Sequence, residues 1–215
     1  MRRPVSAIVL CLVLFAPLSW GRKRHHSSSA GGQFDYYLLA LSWAPTYCAE
    51  HPSDHSRECA GHATFVLHGL WPQANSGPPP MDCAQGGAVP PATVDHMLQF
   101  MPSRGLIQHE WSKHGTCSGL PADDYFQAVE RAFTNVKVPE PYRDLNHEAQ
   151  SSVGELEQSF ATANHAPQQA FRVSCHGGEL VGMEICLDKN LQYRSCSNSA
   201  RECSSNSLTV RPPQQ

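Results

Sequence analysis

The chain has 215 residues, with 16 Lys and Arg against 19 Asp and Glu, so it carries a formal charge of −3 at pH 7 with its 12 histidines neutral. That length suits one domain plus appendages, at roughly 100–200 residues per domain. A hydrophobic fraction of 40% supports one core and excludes global disorder. A charged fraction of 16% disfavours coiled coils and acidic tails, and the near-neutral balance excludes a basic groove that grips nucleic acid by charge alone at pH 7.

The first segment reads as a targeting sequence. Arg2 and Arg3 form a positive start, and residues 7–18 are almost wholly apolar. That stretch suits a signal peptide and is short of the roughly 20 residues a membrane span needs. Ser19 and Gly21 supply small residues for a cut after Gly21, so residues 1–21 are predicted to be a signal peptide; the alternative is an uncleaved anchor. No later stretch is apolar for long enough to span a membrane, which predicts a soluble, exported product. Beyond the signal lie Cys48, Cys59, Cys83, Cys117, Cys175, Cys186, Cys196 and Cys203. Eight cysteines in an exported chain predict four disulfides, with a connectivity that spacing alone leaves open. The absence of any Cys-x-x-Cys pair argues against a structural zinc site.

Residues 22–32 (RKRHHSSSAGG) lack apolar periodicity and are expected to form a flexible arm, leaving 33–203 as a single domain. Residues 34–43 (FDYYLLALSW) give a buried-strand signal bounded by Gly32 and Pro45. Residues 48–59 are expected to be a polar loop, residues 65–67 a second strand, and the Pro- and Gly-rich stretch 73–91 a loop. Thr93 is placed to N-cap a helix starting at Val94, with Met97, Leu98 and Met101 on its apolar side. Further helices are predicted over 123–136 and 151–163. Short strand-like runs return at 171–174 and 184–187, and residues 204–215 are expected to be a flexible tail. The pattern is α+β, with strands at both ends and helices between.

Two clusters carry chemistry. The first, His68-Gly69-Leu70-Trp71-Pro72-Gln73, sets an imidazole beside a glycine and an aromatic platform. The second, His109-Glu110-Trp111-Ser112-Lys113-His114-Gly115-Thr116-Cys117, packs four ionisable groups into six residues. On a helix, Glu110, Lys113 and His114 project from one face. A solvated helix face with an ion pair is the bland alternative, and on these residues alone it stays open. Zinc is disfavoured: His109 and His114 are five apart, not the four of a zincin helix, which turns them apart by roughly 140°. Two histidines in separate clusters, with a Lys and a Glu, suit phosphodiester transfer, one imidazole taking a proton and the other giving one. No metal or other cofactor is needed if the 2′-OH of RNA is the nucleophile. No Gly-x-Ser-x-Gly elbow supports a serine nucleophile.

These two clusters closely resemble the active-site signatures of the ribonuclease T2 family, the secreted or lysosomal acid endoribonucleases. The resemblance extends to the opening strand, from Phe34 to Cys48, and to the segment from Cys175 to Cys196. It implies a central antiparallel sheet with packed helices, stabilised by disulfides. It implies catalysis by His68, Glu110, Lys113 and His114, substrate contacts from His109 and Trp71, and pairs Cys83–Cys117, Cys175–Cys203, Cys186–Cys196 and Cys48–Cys59. Gln73 stands where several relatives carry Asp or Asn near the base site, so base preference does not carry over. The implied activity is metal-independent cleavage of single-stranded RNA, not DNA, through 2′,3′-cyclic phosphates, by a monomer in extracellular fluid or the lysosomal lumen. The alternative is a signalling or binding protein on the same scaffold. The chain lacks any Asn-x-Ser/Thr sequon, so N-glycosylation is not expected.

Overall fold

The computed structural model describes residues 31–61, 63–197, 203 and 207–213. The predicted signal peptide and most of the predicted arm lie outside the described residues. The opening run forms strand β1 (Tyr36–Trp43) and the first signature forms β2 (Phe65–Gln73), so the strand expected to stop at Leu67 runs on through the whole signature. β4 (Phe171–His176) and β5 (Glu179–Leu187) make a hairpin around Gly177 and Gly178, both at positive φ, a conformation glycine adopts without steric cost. Two short strands, β3 (Ala149–Ser151) and β6 (Leu208–Val210), complete a six-stranded sheet. Its order is β2-β1-β5-β6-β3, with β4 on β5. The pairings are antiparallel except for β5 with β6, which run parallel at Glu179 and Thr209.

Strand alternation divides the sheet into two faces. Tyr37, Leu39, Leu41 and Trp43 enter the main core, while Tyr36, Leu38 and Ala40 face the other way and pack with Cys186. Helices cover the main core: α3 (Pro91–Met97), α4 (Arg104–Lys113), α5 (Ala122–Thr134) and α6 (Val153–Asn164). α5 buries Tyr125, Phe126, Val129 and Ala132, the stripe expected from its spacing, with Phe133 at the half-buried margin. α6 opens on a capping box, in which Ser152 and Glu155 each satisfy the other's backbone N–H.

Three expectations are corrected. α3 starts at Pro91, so Thr93 lies inside the helix and its hydroxyl donates to Asp123 instead of capping. Proline fixes φ at a helical value and its missing N–H is an orphan in the first turn, which makes it a good opener. The segment expected as a polar loop contains two short helices, Ala44–Glu50 and Arg57–Ala60; Pro45 sits in the first turn of the former and does not break it. The expected flexible tail instead supplies β6, whose Leu208 and Val210 are wholly buried. The carbonyl of Arg211 then accepts from the buried Trp43 indole at 3.0 Å.

Four disulfides join Cys48 to Cys59, Cys83 to Cys117, Cys175 to Cys203 and Cys186 to Cys196. These are the pairs implied by the resemblance. No helix among the described residues is long and apolar enough to cross a membrane.

Candidate active site

The site is built where α4 leans on β2. The two strands β1 and β2 slip register between Ala40 and Leu41: Ala40 pairs with Gly69 but Leu41 pairs with Leu67. His68 is therefore the extra residue of a β-bulge. Bulges re-aim side chains and are common beside active sites. Here Phe65 and Leu67 point into the core before the bulge and Leu70 and Pro72 after it, while His68 and Trp71 stay half-exposed. Gly69 has a separate role. A Cβ there would lie 2.1 Å from Glu110 Oε2 and 2.8 Å from Trp71 Nε1, so only glycine lets the carboxylate approach this strand.

α4 is N-capped by Ser103, whose side chain accepts from the Leu106 N–H, and its buried face carries Ile107, Glu110 and Trp111. The helix ends at Lys113, and His114 leaves helical geometry at φ −121°, ψ −45°. The expected single helical face is thus broken. Glu110 and His114 both meet Trp71, whereas Lys113 reaches Asp82 at 3.0 Å. The cause lies in the following 3-10 turn, Gly115–Ser118. Gly115 packs so tightly on Trp111 and Tyr125 that a Cβ would sit 2.4 Å from the Trp111 ring, and Cys117 is tied to Cys83. Tyr125, fully buried, donates to the Leu70 carbonyl at 3.0 Å and so fixes α5 to β2.

Trp71 links the two segments. Its indole N–H donates to Glu110 Oε2 at 2.6 Å, and its ring stacks on His114 with centroids 4.8 Å apart and planes at 22°. Glu110 is only 3% exposed, and burial pushes its carboxyl up to about 7 against the opposing Trp71 hydrogen bond. Burial likewise pulls His114 down to about 4, helped by the charges of His109 and Lys113 and opposed by Asp82. His68 is lowered too, by burial and then by His109. One exposed imidazole, His109, thus bears on both buried ones. His114 Nδ1 is buried without a hydrogen-bond partner among the described residues. Gln73 lies two residues past Trp71, paired with Tyr36 at the end of β2. Among the described residues, no group of three or more His, Cys, Asp or Glu is placed to hold a metal ion.

Sequence reasoning missed Asp82, which holds Lys113 from both ends: its carboxylate takes the ammonium and its N–H donates to the Lys113 carbonyl at 2.9 Å. Its only signal was its place beside Cys83. Glu58 was also missed; it is buried on the second short helix and accepts from the Ser42 hydroxyl at 2.6 Å.

The family model described as the Ribonuclease T2 family matches residues 34–196, a span that contains every residue of this site. The chain belongs to the Ribonuclease T2 family. It is similar to a ribonuclease of Aeromonas hydrophila, 43% identical over 120 residues, 56% of this chain and 54% of that one. It is also similar to a probable ribonuclease of Haemophilus influenzae, 31% identical over 192 residues, 82% of this chain and 66% of that one. The chain thus spans between half and two thirds of the length of these two relatives. The RNase-related protein from Calystegia sepium shares the fold, with a TM-score of 0.70 at 24% identity over 84% of this chain and 98% of that one.

Proposed function

We propose that the protein is an endoribonuclease that cleaves single-stranded RNA by transphosphorylation, using the 2′-OH of the substrate as nucleophile. The observation that carries this reading is the arrangement of two half-buried imidazoles on separate elements, both under the charge of His109, around a buried carboxyl that Trp71 holds in place. His114, held down to about 4, is neutral above that pH and can take the 2′-OH proton. His68 gives a proton to the departing 5′-oxygen, and a 2′,3′-cyclic phosphate results. In the hydrolysis step the two exchange roles. At acid pH Glu110, raised to about 7, is a neutral carboxyl that can share a hydrogen bond with a phosphoryl oxygen without repelling it. Lys113 and protonated His109 contribute positive charge to the phosphorane, and His109 with its exposed ring binds substrate phosphate. Trp71 and Gln73 stand on the side of the base.

The four disulfides suit an oxidising compartment, and we place the protein in extracellular fluid or the lysosomal lumen, as a monomer. The test is digestion of RNA and of matched DNA with and without EDTA, with the ends identified by mass spectrometry. Cyclic phosphate ends on RNA alone, at a rate indifferent to EDTA, are expected. His68→Ala and His114→Ala should each reduce turnover by about 10²–10⁴-fold with folding intact. A near-normal rate in the His114→Ala variant would overturn the assignment.

A further inference from the structure

A cavity of about 200 Å³ lies beside His68, on the sheet face opposite the main core. Its walls include Ala40 and Ser42 from β1, Tyr47 from the first short helix, His68 and Trp71 from β2, and Glu184 from β5. It is smaller than the roughly 300–1,000 Å³ that encloses a drug-sized ligand, and so suits one planar ring system. The hydrogen-bonding character of its wall is unusual. The Ser42 hydroxyl donates its proton to the buried Glu58 at 2.6 Å, and the Tyr47 hydroxyl donates to Asp54 at 2.8 Å. Neither carboxylate lines the cavity. Both hydroxyl protons therefore point away from it, leaving oxygen lone pairs toward the space. The Glu184 carboxylate, held by Arg172 at 2.7 Å, adds further acceptors. A wall of acceptors rewards a ligand edge rich in N–H and penalises one rich in carbonyls, since a buried acceptor left without a donor is costly.

We propose that this cavity receives the base of the leaving nucleoside, and that Ser42, positioned by Glu58, makes it favour bases that present N–H groups. This rests on the ribonuclease reading, in which His68 protonates the departing 5′-oxygen. The leaving nucleoside then lies on the His68 side, where the cavity is. Guanine offers a contiguous run of N–H hydrogens on one edge, whereas uracil offers one N–H between two carbonyls. Guanine is favoured and uracil disfavoured at this position. Glu58 is a positioning residue that acts through the Ser42 hydroxyl.

The experiment compares kcat/KM for ApG and ApU, which vary the leaving nucleoside, and for GpA and UpA, which vary the other one. The protein should prefer ApG over ApU by roughly fivefold to tenfold, the worth of about one hydrogen bond. In Ser42→Ala that ratio should fall towards one while the GpA to UpA ratio keeps its value; Ser42→Thr, which retains the hydroxyl, should restore it. In Glu58→Gln an amide N–H can donate to Ser42, freeing the hydroxyl proton for the cavity, so the ratio should shift towards ApU. A merely structural role for Glu58 would lower all four substrates by one factor and leave both ratios unchanged. An ApG to ApU ratio of one or less in the unaltered protein, or a ratio unmoved by Ser42→Ala, would overturn the proposal. Cleavage of none of the four would overturn the ribonuclease reading and the proposal with it.

Discussion

Burial moves Glu110 and His114 in opposite directions, since it penalises whichever form is charged: about 7 for the carboxyl and about 4 for the imidazole. The rate should therefore rise with pH through about 4, as His114 loses its proton, and fall again as His68 loses its own below the ordinary imidazole value of about 6.5. A bell of kcat/KM with its maximum between roughly pH 4 and 6.5 is expected at fixed ionic strength; a maximum at pH 8 or above would contradict the assignment. Stability follows the same groups. A carboxyl raised on folding contributes fully below its unfolded value of 4.5, and the contribution is lost as pH rises through about 7. The shift corresponds to on the order of 3 kcal/mol. Glu110→Gln, which never ionises, should be more stable than the unaltered protein at pH 8 and not at pH 4, as read by urea unfolding at both. His114 carries the opposite sign, its contribution being lost as pH falls from 6.5 towards about 4. At Gly69 the prediction is steric. Gly69→Ala places a methyl where the Glu110 carboxylate lies, and the displaced carboxyl should cost about 10²-fold in turnover, with circular dichroism unchanged.

At the scale of elements, the catalytic residues depend on how β2 and the end of α4 are held. The Cys83–Cys117 bond closes a loop with a sequence separation of 34 and anchors the 3-10 turn that carries the chain out of α4 after His114. Replacing both cysteines by serine should cost about 3–4 kcal/mol. It should also lower activity at temperatures where the protein remains folded, because His114 loses its tether; thermal melts and rates on the same samples separate the two effects. The signatures themselves were legible in the sequence, as were α5 and α6, whose stripes and caps are local. The bulge at His68 was not, since it arises from the pairing of β2 with β1 and leaves no local mark beyond a broken alternation. β6 stayed hidden because three residues in a polar stretch give no period, and their burial comes entirely from β5 and β3. The helix at 44–50 was hidden because Pro45 punctuates a loop and opens a helix equally well.

The whole molecule is mildly anionic at neutral pH and histidine-rich. With the signal peptide removed, the loss of Arg2 and Arg3 takes the formal charge from −3 to −5, and all 12 histidines remain. Near pH 5 the histidines at ordinary values of about 6.5 become charged, while His114 stays neutral. The net charge then turns positive, and a polyanion is drawn to the protein. KM for a long RNA should fall between pH 7 and pH 5 and rise with added salt, more steeply at the lower pH. A KM indifferent to salt at pH 5 would show that charge plays no part in capture. Composition alone foresaw this trend, but which histidines lag behind it depends on burial, and hence on the fold.

The stack of Trp71 on His114 has an optical consequence. A protonated imidazole in contact with an indole quenches its fluorescence, and of Trp43, Trp71 and Trp111 it is Trp71 whose ring stacks on a histidine. Emission should dim on acidification with a midpoint near 4, the value to which burial holds His114. A bound nucleotide that shifts this midpoint would report on the catalytic base without a label or a turnover. The protein thereby carries its own spectroscopic readout of whether that base is ready to act.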